Sequence, residues 1–287
     1  MQKLGVEDTI FRSKSSITVR GKLLDLRIPK VMGIVNITPD SFYQGSTVNS
    51  QDALRERVND MLLSGADILD VGGYSSRPGA DDISIQVEID RISPAIELIS
   101  KEHPEVVISI DTFRSEVAEE ALKLGAGIIN DISGFQQDAR LPMIAAKYNA
   151  PYILMHMCGT PQTMADLTSY ENIFAEMAGY FSAKMELLRN EGVKDTILDP
   201  GFGFAKTLED NHRLLHHLDC FHFLGAPILA GVSRKSMIYK KLDITPEESL
   251  NGTTVLNTVG LMKGASILRV HDVKAAKEAV RLMEGVD

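Results

Sequence analysis

The sequence predicts an α/β protein, a single-domain (β/α)8 TIM barrel, and three observations carry that expectation. Eight short, apolar, β-branched segments recur along the 287 residues. Stretches of helical periodicity separate them in strict alternation. No Pro/Gly-rich linker or low-complexity segment divides the chain. Runs buried on both faces of a parallel sheet read as near-continuous hydrophobes, and strict strand–helix alternation suits a closed barrel. A doubly wound open sheet is the structural rival.

The first 30 residues fit no such unit. TIFRSKSSITVRGKLLDL alternates weakly, so residues 1–30 are expected to form an extension whose hairpin closes the lower end of a barrel spanning 31–287. The strands are then VMGIVN (31–36), ADILDVGG (66–73), VVISID (106–111), GIIND (127–131), YILMHM (152–157), TILDPG (196–201), PILAGVS (227–233) and SILRVHD (266–272). Between the first two, residues 51–65 place Ala53, Leu54, Val58, Met61 and Leu62 on one helical side and stop at Gly65. Residues 114–124 repeat Val117, Ala118, Ala121 and Leu122 before Gly125, a C-terminal stop signal. Helical patterns also fill 84–100, 138–147, 171–191, 209–218, 247–263 and 273–284.

Composition narrows the function. A net charge of −9 argues against a nucleic-acid binder working by bulk electrostatics. Two cysteines, Cys158 and Cys220, are too few for a disulfide scaffold or a four-thiolate zinc site. The N-terminus lacks a signal-peptide core, and no segment approaches a membrane span. A cytoplasmic location is expected.

Barrel enzymes work at the carboxyl ends of their strands. Here those ends deliver Asn36; Asp70 with Gly72 and Gly73; Asp111; Asn130 and Asp131; His156; Asp199; Ser233, Arg234 and Lys235; and Arg269, His271 and Asp272. Asp111, Asn130 and Asp199 make an acceptor-rich set suited to a flat, nitrogen-rich heterocycle, because a carboxylate accepts parallel N–H bonds from a guanidine-like edge. Lys235 and Arg269 supply donors, and a guanidinium plane also stacks on rings. Ser75, Ser76, Arg77, Arg269 and His271 suit an anion such as phosphate. Asn36 is a neutral oxygen ligand of the kind Mg²⁺ accepts when phosphate and water complete its shell. His156 and Cys158 have metal-like spacing but read as ordinary loop residues. Three loops read as functional: the polar stretch after Asn36 with the bare aromatic Phe42, GGYSSRPGA (72–80), and GFGFAKT (201–207), whose Phe202 and Phe204 offer apolar surface.

Taken together, NITPDSF (36–42), DVGGYSSRPGA (70–80), SIDTFR (109–114), INDISG (129–134), LDPGFGFAKT (198–207), GVSRKS (231–236) and RVHDV (269–273) resemble dihydropteroate synthases. The resemblance implies an eight-unit barrel transferase of folate biosynthesis. It would condense 6-hydroxymethyl-7,8-dihydropterin diphosphate with p-aminobenzoate, giving 7,8-dihydropteroate and pyrophosphate. It also implies a sulfonamide target, a homodimer and Mg²⁺ as cofactor. By motif, Asp111, Asn130, Asp199 and Lys235 hold the pterin; Ile132, Met155, Phe204 and Gly231 shape its slot; Arg269 stacks on it. Asn36 takes the metal, and Ser76, Arg77, Arg269 and His271 take the diphosphate. Phe42, Arg77, Pro78, Phe204, Lys235 and Ser236 surround p-aminobenzoate. Asn36, Asp111, Lys235 and Arg269 form the catalytic set.

The chain departs from the family pattern in places. Gln44 stands where aspartate is common, Tyr74 where glutamate is, and Ser76 where threonine is. A pterin-dependent methyltransferase shares the barrel and ring-binding residues but needs neither a diphosphate site nor the NITPDSF and SSRPG loops. A non-catalytic pterin-binding protein is the rival from another class, and product formation discriminates it. A barrel aldolase would need a Schiff-base lysine in a strand, and Lys235 lies just past one.

Overall fold

The computed structural model describes residues 14–37, 48–75, 82–160, 163–164 and 167–285. Phe42, Gln44, Ser76, Arg77 and Pro78 lie outside the described residues. The described residues begin with a hairpin, β1 (Ser16–Val19) against β2 (Lys22–Asp25). Its two-residue turn holds Arg20 and Gly21 at φ 49° and 76°. Positive φ at both positions matches the twist of paired strands.

The barrel strands are β3 (Lys30–Asn36), β4 (Ile68–Gly72), β5 (Val107–Asp111), β6 (Ile128–Asp131), β7 (Tyr152–Met155), β8 (Thr196–Asp199), β9 (Leu229–Ala230) and β10 (Ile267–Val270). They pair in parallel in the order β8-β7-β6-β5-β4-β3-β10-β9. A parallel bridge between Leu198 and Ile228 closes the ring. Between the strands run α1 (Val48–Leu63), α2 (Ile85–Glu102), α3 (Ser115–Leu124), α4 (Leu141–Tyr148), α5 (Ile173–Asn190), α6 (Leu208–His216), α7 (Ser236–Leu242) and α8 (Leu250–Met262), and α9 (Val273–Met283) follows β10.

Side chains alternate across a strand, and here that separates two cores. Val31, Val35, Leu69, Val71, Ile108, Ile110, Leu154, Leu198 and Leu268 face outward and join the helices in one buried cluster. Met32, Ile68, Ile128, Ile153, Ile197, Leu229 and Ile267 face inward near the strands' amino ends. Ile17, Val19 and Leu26 complete this inner cluster, so the hairpin packs against the strands' amino ends; residues 1–13 of the expected extension lie outside the described residues. Asp195 fastens it, accepting the Thr18 N–H at 2.9 Å and pairing with Lys14.

Several local expectations need correction. The strand read at 227–233 is ordered as β-structure only over Leu229–Ala230. Gly231 follows, and Arg234 at φ 53° turns the chain away. A 3-10 helix, Leu218–Leu224, succeeds α6, and the additional short α7 precedes α8. Ala53 is exposed, while Leu54, Val58 and Met61 form the buried stripe of α1. Phe202 is wholly buried among the helix-side hydrophobes and offers no surface to a ligand.

Candidate active site

Two or four residues above the apolar inner layer, most of the same inward faces become polar. Strand register sets Asn36, Gly72, Asp111 and Asn130 side by side, while Met155 pairs with Asp199. Asp70 lies one inward step below Gly72, mid-strand and fully buried. Arg269 reaches up from β10 to bind both carboxylates: Nε donates to Asp70 at 2.6 Å and Nη2 to Asp111 at 2.5 Å. The Asn130 amide donates to the same Asp70 oxygen at 3.0 Å. Burial opposes the charge on Arg269, but Asp70 and Asp111 together hold its pKa above the ordinary value. Burial likewise pushes the Asp111 carboxyl up, with Arg269 pulling against it. One cation shared by two carboxylates, Asp70 fully buried and Asp111 half-buried, leaves a site rich in acceptors.

Asp199, 5% exposed, receives the Gly201 N–H at 2.7 Å. Burial raises its pKa, and the Lys235 ammonium opposes that rise. Lys235 is drawn down to about 8 by burial, against the attraction of Asp199. Its Nζ donates to the Phe202 carbonyl at 2.5 Å and lies 4.9 Å from the Phe204 ring centre. Gly231 keeps this corner open: a Cβ there would find Lys235 Nζ at 3.8 Å and Arg269 Cβ at 3.9 Å. Ile132 and Met155 belong to a small buried apolar cluster with Phe113, against which Phe204 and Tyr74 pack. The corner therefore offers an apolar wall, an acceptor edge and two cationic groups.

Around this floor sit supports that the sequence reading left without a role. Lys206, 8% exposed, donates to the carbonyls of His156, Gly201 and Phe204 at 3.2, 3.1 and 2.9 Å and to His156 Nδ1 at 3.2 Å. It ties the 201–207 loop to the end of β7. Burial lowers it to about 7. His156 is itself brought to about 3 by burial and the adjacent lysine, so its imidazole is neutral. Glu88, fully buried on α2, accepts from Thr112 Oγ1 at 2.7 Å and Arg114 Nη1 at 2.9 Å, holding the turn after Asp111. The only sequence signals were a carboxylate inside the apolar run ILDVG for Asp70 and a lysine closing a glycine-rich loop for Lys206.

Of the remaining expected residues, Asn36 is half-buried at the end of β3. His271 follows β10 beside Ser233, and Ser236 is the first residue of α7. Gly72 leaves space beside Asn36: a Cβ there would lie 3.4 Å from Asp111 Cβ and 3.8 Å from Asn36 Oδ1. Among the described residues, no three His, Cys, Asp or Glu side chains group as a metal cage. A cation at Asn36 would therefore draw most of its oxygens from phosphate and water, which fits Mg²⁺.

The profile of the pterin binding enzyme family matches residues 32–271. The dihydropteroate synthase of Escherichia coli (strain K12) is 44% identical over 267 residues, covering 92% of this chain and 94% of that one. The Yersinia pestis dihydropteroate synthase, solved in a sulfonamide drug complex, superposes with a TM-score of 0.88 at 39% identity, over 94% of this chain and 98% of that one. The Xanthomonas albilineans dihydropteroate synthase, solved with 4-aminobenzoic acid, gives 0.87 at 35% identity over 96% and 98%. The chain belongs to the pterin-binding enzyme family, among its dihydropteroate synthases.

Proposed function

We infer that the site joins 6-hydroxymethyl-7,8-dihydropterin diphosphate to p-aminobenzoate, releasing 7,8-dihydropteroate and pyrophosphate. The observation that carries this reading is the acceptor floor of Asp70, Asp111, Asn130 and Asp199 with Arg269 and Lys235 beside it. Asp111, Asn130 and Asp199 take the N–H edge of the pterin, Lys235 donates to a ring acceptor, and Ile132, Met155 and Phe204 pack its faces. Arg269 and His271, with Ser76 and Arg77, receive the diphosphate. Phe204, Lys235 and Ser236, with Phe42, Arg77 and Pro78, surround the arylamine. Mg²⁺ at Asn36 would supply charge neutralisation for the departing pyrophosphate.

The methylene C–O bond breaks, pyrophosphate keeps the electron pair, and the arylamine nitrogen forms the new C–N bond and sheds one proton. We propose that C–O cleavage runs ahead of C–N bond formation. The carboxylates under the ring favour positive charge on the pterin, and donors aimed at the leaving group stabilise it. A secondary deuterium isotope effect near unity at the reacting methylene would exclude that order. The function itself is tested by mixing protein, both substrates and Mg²⁺ and following both products. Equimolar dihydropteroate and pyrophosphate are expected. Pyrophosphate alone would mean that water outcompetes the arylamine, and pterin binding without either product would sink the synthase reading.

Two finer expectations belong here. No described helix is long and apolar enough to cross a membrane, and we propose a cytoplasmic protein. We propose a homodimer through the apolar surface of α7 and α8, where Leu242, Val255 and Met262 are more than half exposed. Sedimentation giving the monomer mass at micromolar concentration would refute it.

A further inference from the structure

Ser233 lies three residues past the end of β9 and is 3% exposed. Its Oγ accepts the His271 backbone N–H at 3.1 Å and lies 3.0 Å from His271 Nδ1. One residue further along each turn, Arg234 grips Asp272 through two bonds of 2.8 Å, so the two turns are bolted together. The Arg57 guanidinium also donates to the His271 carbonyl at 3.3 Å. Among the described residues, the imidazole's hydrogen bond is the one at Nδ1.

The hydroxyl proton decides what the other side presents. If Nδ1 carried a proton and donated to Oγ, the serine would accept twice. Its own proton would then be buried with no acceptor among the described residues. A buried donor left unpaired costs about 1–3 kcal/mol. With the hydroxyl donating to Nδ1, the Ser233 hydroxyl and Nδ1 are both satisfied, and the ring proton sits on Nε2.

We propose that Ser233 is a positioning residue that fixes His271 as the Nε2–H tautomer, so that the imidazole meets the diphosphate as a neutral N–H donor. This rests on the reading of His271 as a diphosphate contact. The charged neighbours agree with a neutral ring: burial first, then Arg269, bring His271 down to about 4, with Asp272 opposing and Arg234 and Lys235 adding to the effect.

The test uses the ligand-free full chain labelled with ¹⁵N-histidine, with the His271 signals assigned by their loss in His271→Gln. Long-range ¹H–¹⁵N correlation at pH 7 is expected to show a single Nε2–H tautomer in the wild type and a mixture in Ser233→Ala. Ser233→Thr, which keeps the hydroxyl, should restore the single form. A wild-type Nδ1–H tautomer, or a tautomer unchanged in Ser233→Ala, overturns the inference. Pyrophosphate titration tests the underlying reading separately. His271→Gln, whose amide nitrogen mimics Nε2, should bind within a few-fold of wild type, whereas His271→Asn and Ser233→Ala should weaken binding by about tenfold, the loss of one hydrogen bond to a charged group. If the tautomer is fixed but neither His271 variant weakens pyrophosphate, the diphosphate reading fails and the tautomer assignment stands.

Discussion

The two ends of the barrel interior are built on the same inward-facing positions of the same strands, yet they are chemical opposites. Near the amino ends, Met32, Ile68, Ile128, Ile153, Ile197 and Ile267 are fully buried against the hairpin's Ile17 and Val19. Two or four residues further on, those strands present Asn36, Asp70, Asn130, Met155, Asp199 and Arg269. The lower layer needs no partners beyond shape. The upper layer needs every charge answered by another, which makes it specific and fragile. Period-two alternation thus lets one strand serve stability at one end and recognition at the other.

The sharpest way to break the contrast is Arg269→Met. It leaves Asp70 and Asp111 facing each other without their cation, and removing one partner of a buried ion pair costs about 3–5 kcal/mol. Denaturant unfolding should show that loss, and kcat/KM should fall by at least about 10³-fold. Adding Asp70→Asn should restore part of the stability but not the activity, because it removes one of the stranded charges. A variant as stable as wild type would show that the upper layer tolerates an unanswered charge.

The lower layer makes the opposite demand. Ile197→Ala should cost about 2–5 kcal/mol through lost transfer energy and a cavity, while kcat/KM per folded molecule stays within a few-fold. If turnover falls as steeply as stability, the two ends are mechanically coupled and the contrast dissolves.

This division also marks what could be seen in the sequence. The alternation of apolar runs with helical periods was enough for the barrel and for the strand ends carrying Asp111, Asn130, Asp199 and Arg269. Pairings were not visible. Asp70 and Arg269 are 199 positions apart, and nothing local says that one holds the other. Lys206 reads as a surface cation until its four acceptors are folded around it. Phe202 and Phe204 sit two residues apart in one loop, and only tertiary packing sends the first into the core. The seven residues of α7 are too few for a periodic signal, and the positive φ of Arg234, in the turn that follows β9, has no residue signature.

Acid should separate the layers more gently. His156, brought to about 3 by burial and Lys206, and His271, brought to about 4 by burial and Arg269, refuse protons that the unfolded chain accepts near pH 6.5. Their contribution is complete above about pH 6.5 and is lost as pH falls toward 4. Each adds a slope approaching about 1.4 kcal/mol per pH unit near pH 5. His156→Asn keeps an acceptor for Lys206 and removes the titration, so its stability profile should be flatter by about that slope between pH 4 and 6. An unchanged slope would mean that His156 takes up its proton without unfolding.

The smallest effect lies in the loop between the layers' two tasks. Ala205 adopts φ 49°, the left-handed region that disfavours any Cβ, and its carbonyl accepts the Tyr170 hydroxyl at 2.8 Å. Lys206 and Tyr170 impose this conformation, so the strain is sustained by the upper layer's supports and not by the lower core. Ala205→Gly relieves the Cβ contact but enlarges the freedom of the unfolded chain. The relief should outweigh the entropy by a margin of up to about 1 kcal/mol, seen as a modest rise in Tm. In a Lys206→Met background the loop loses the ammonium that pins it, Ala205 can relax unaided, and the glycine should then gain nothing. A gain of equal size in both backgrounds would locate the strain in Tyr170's hold alone.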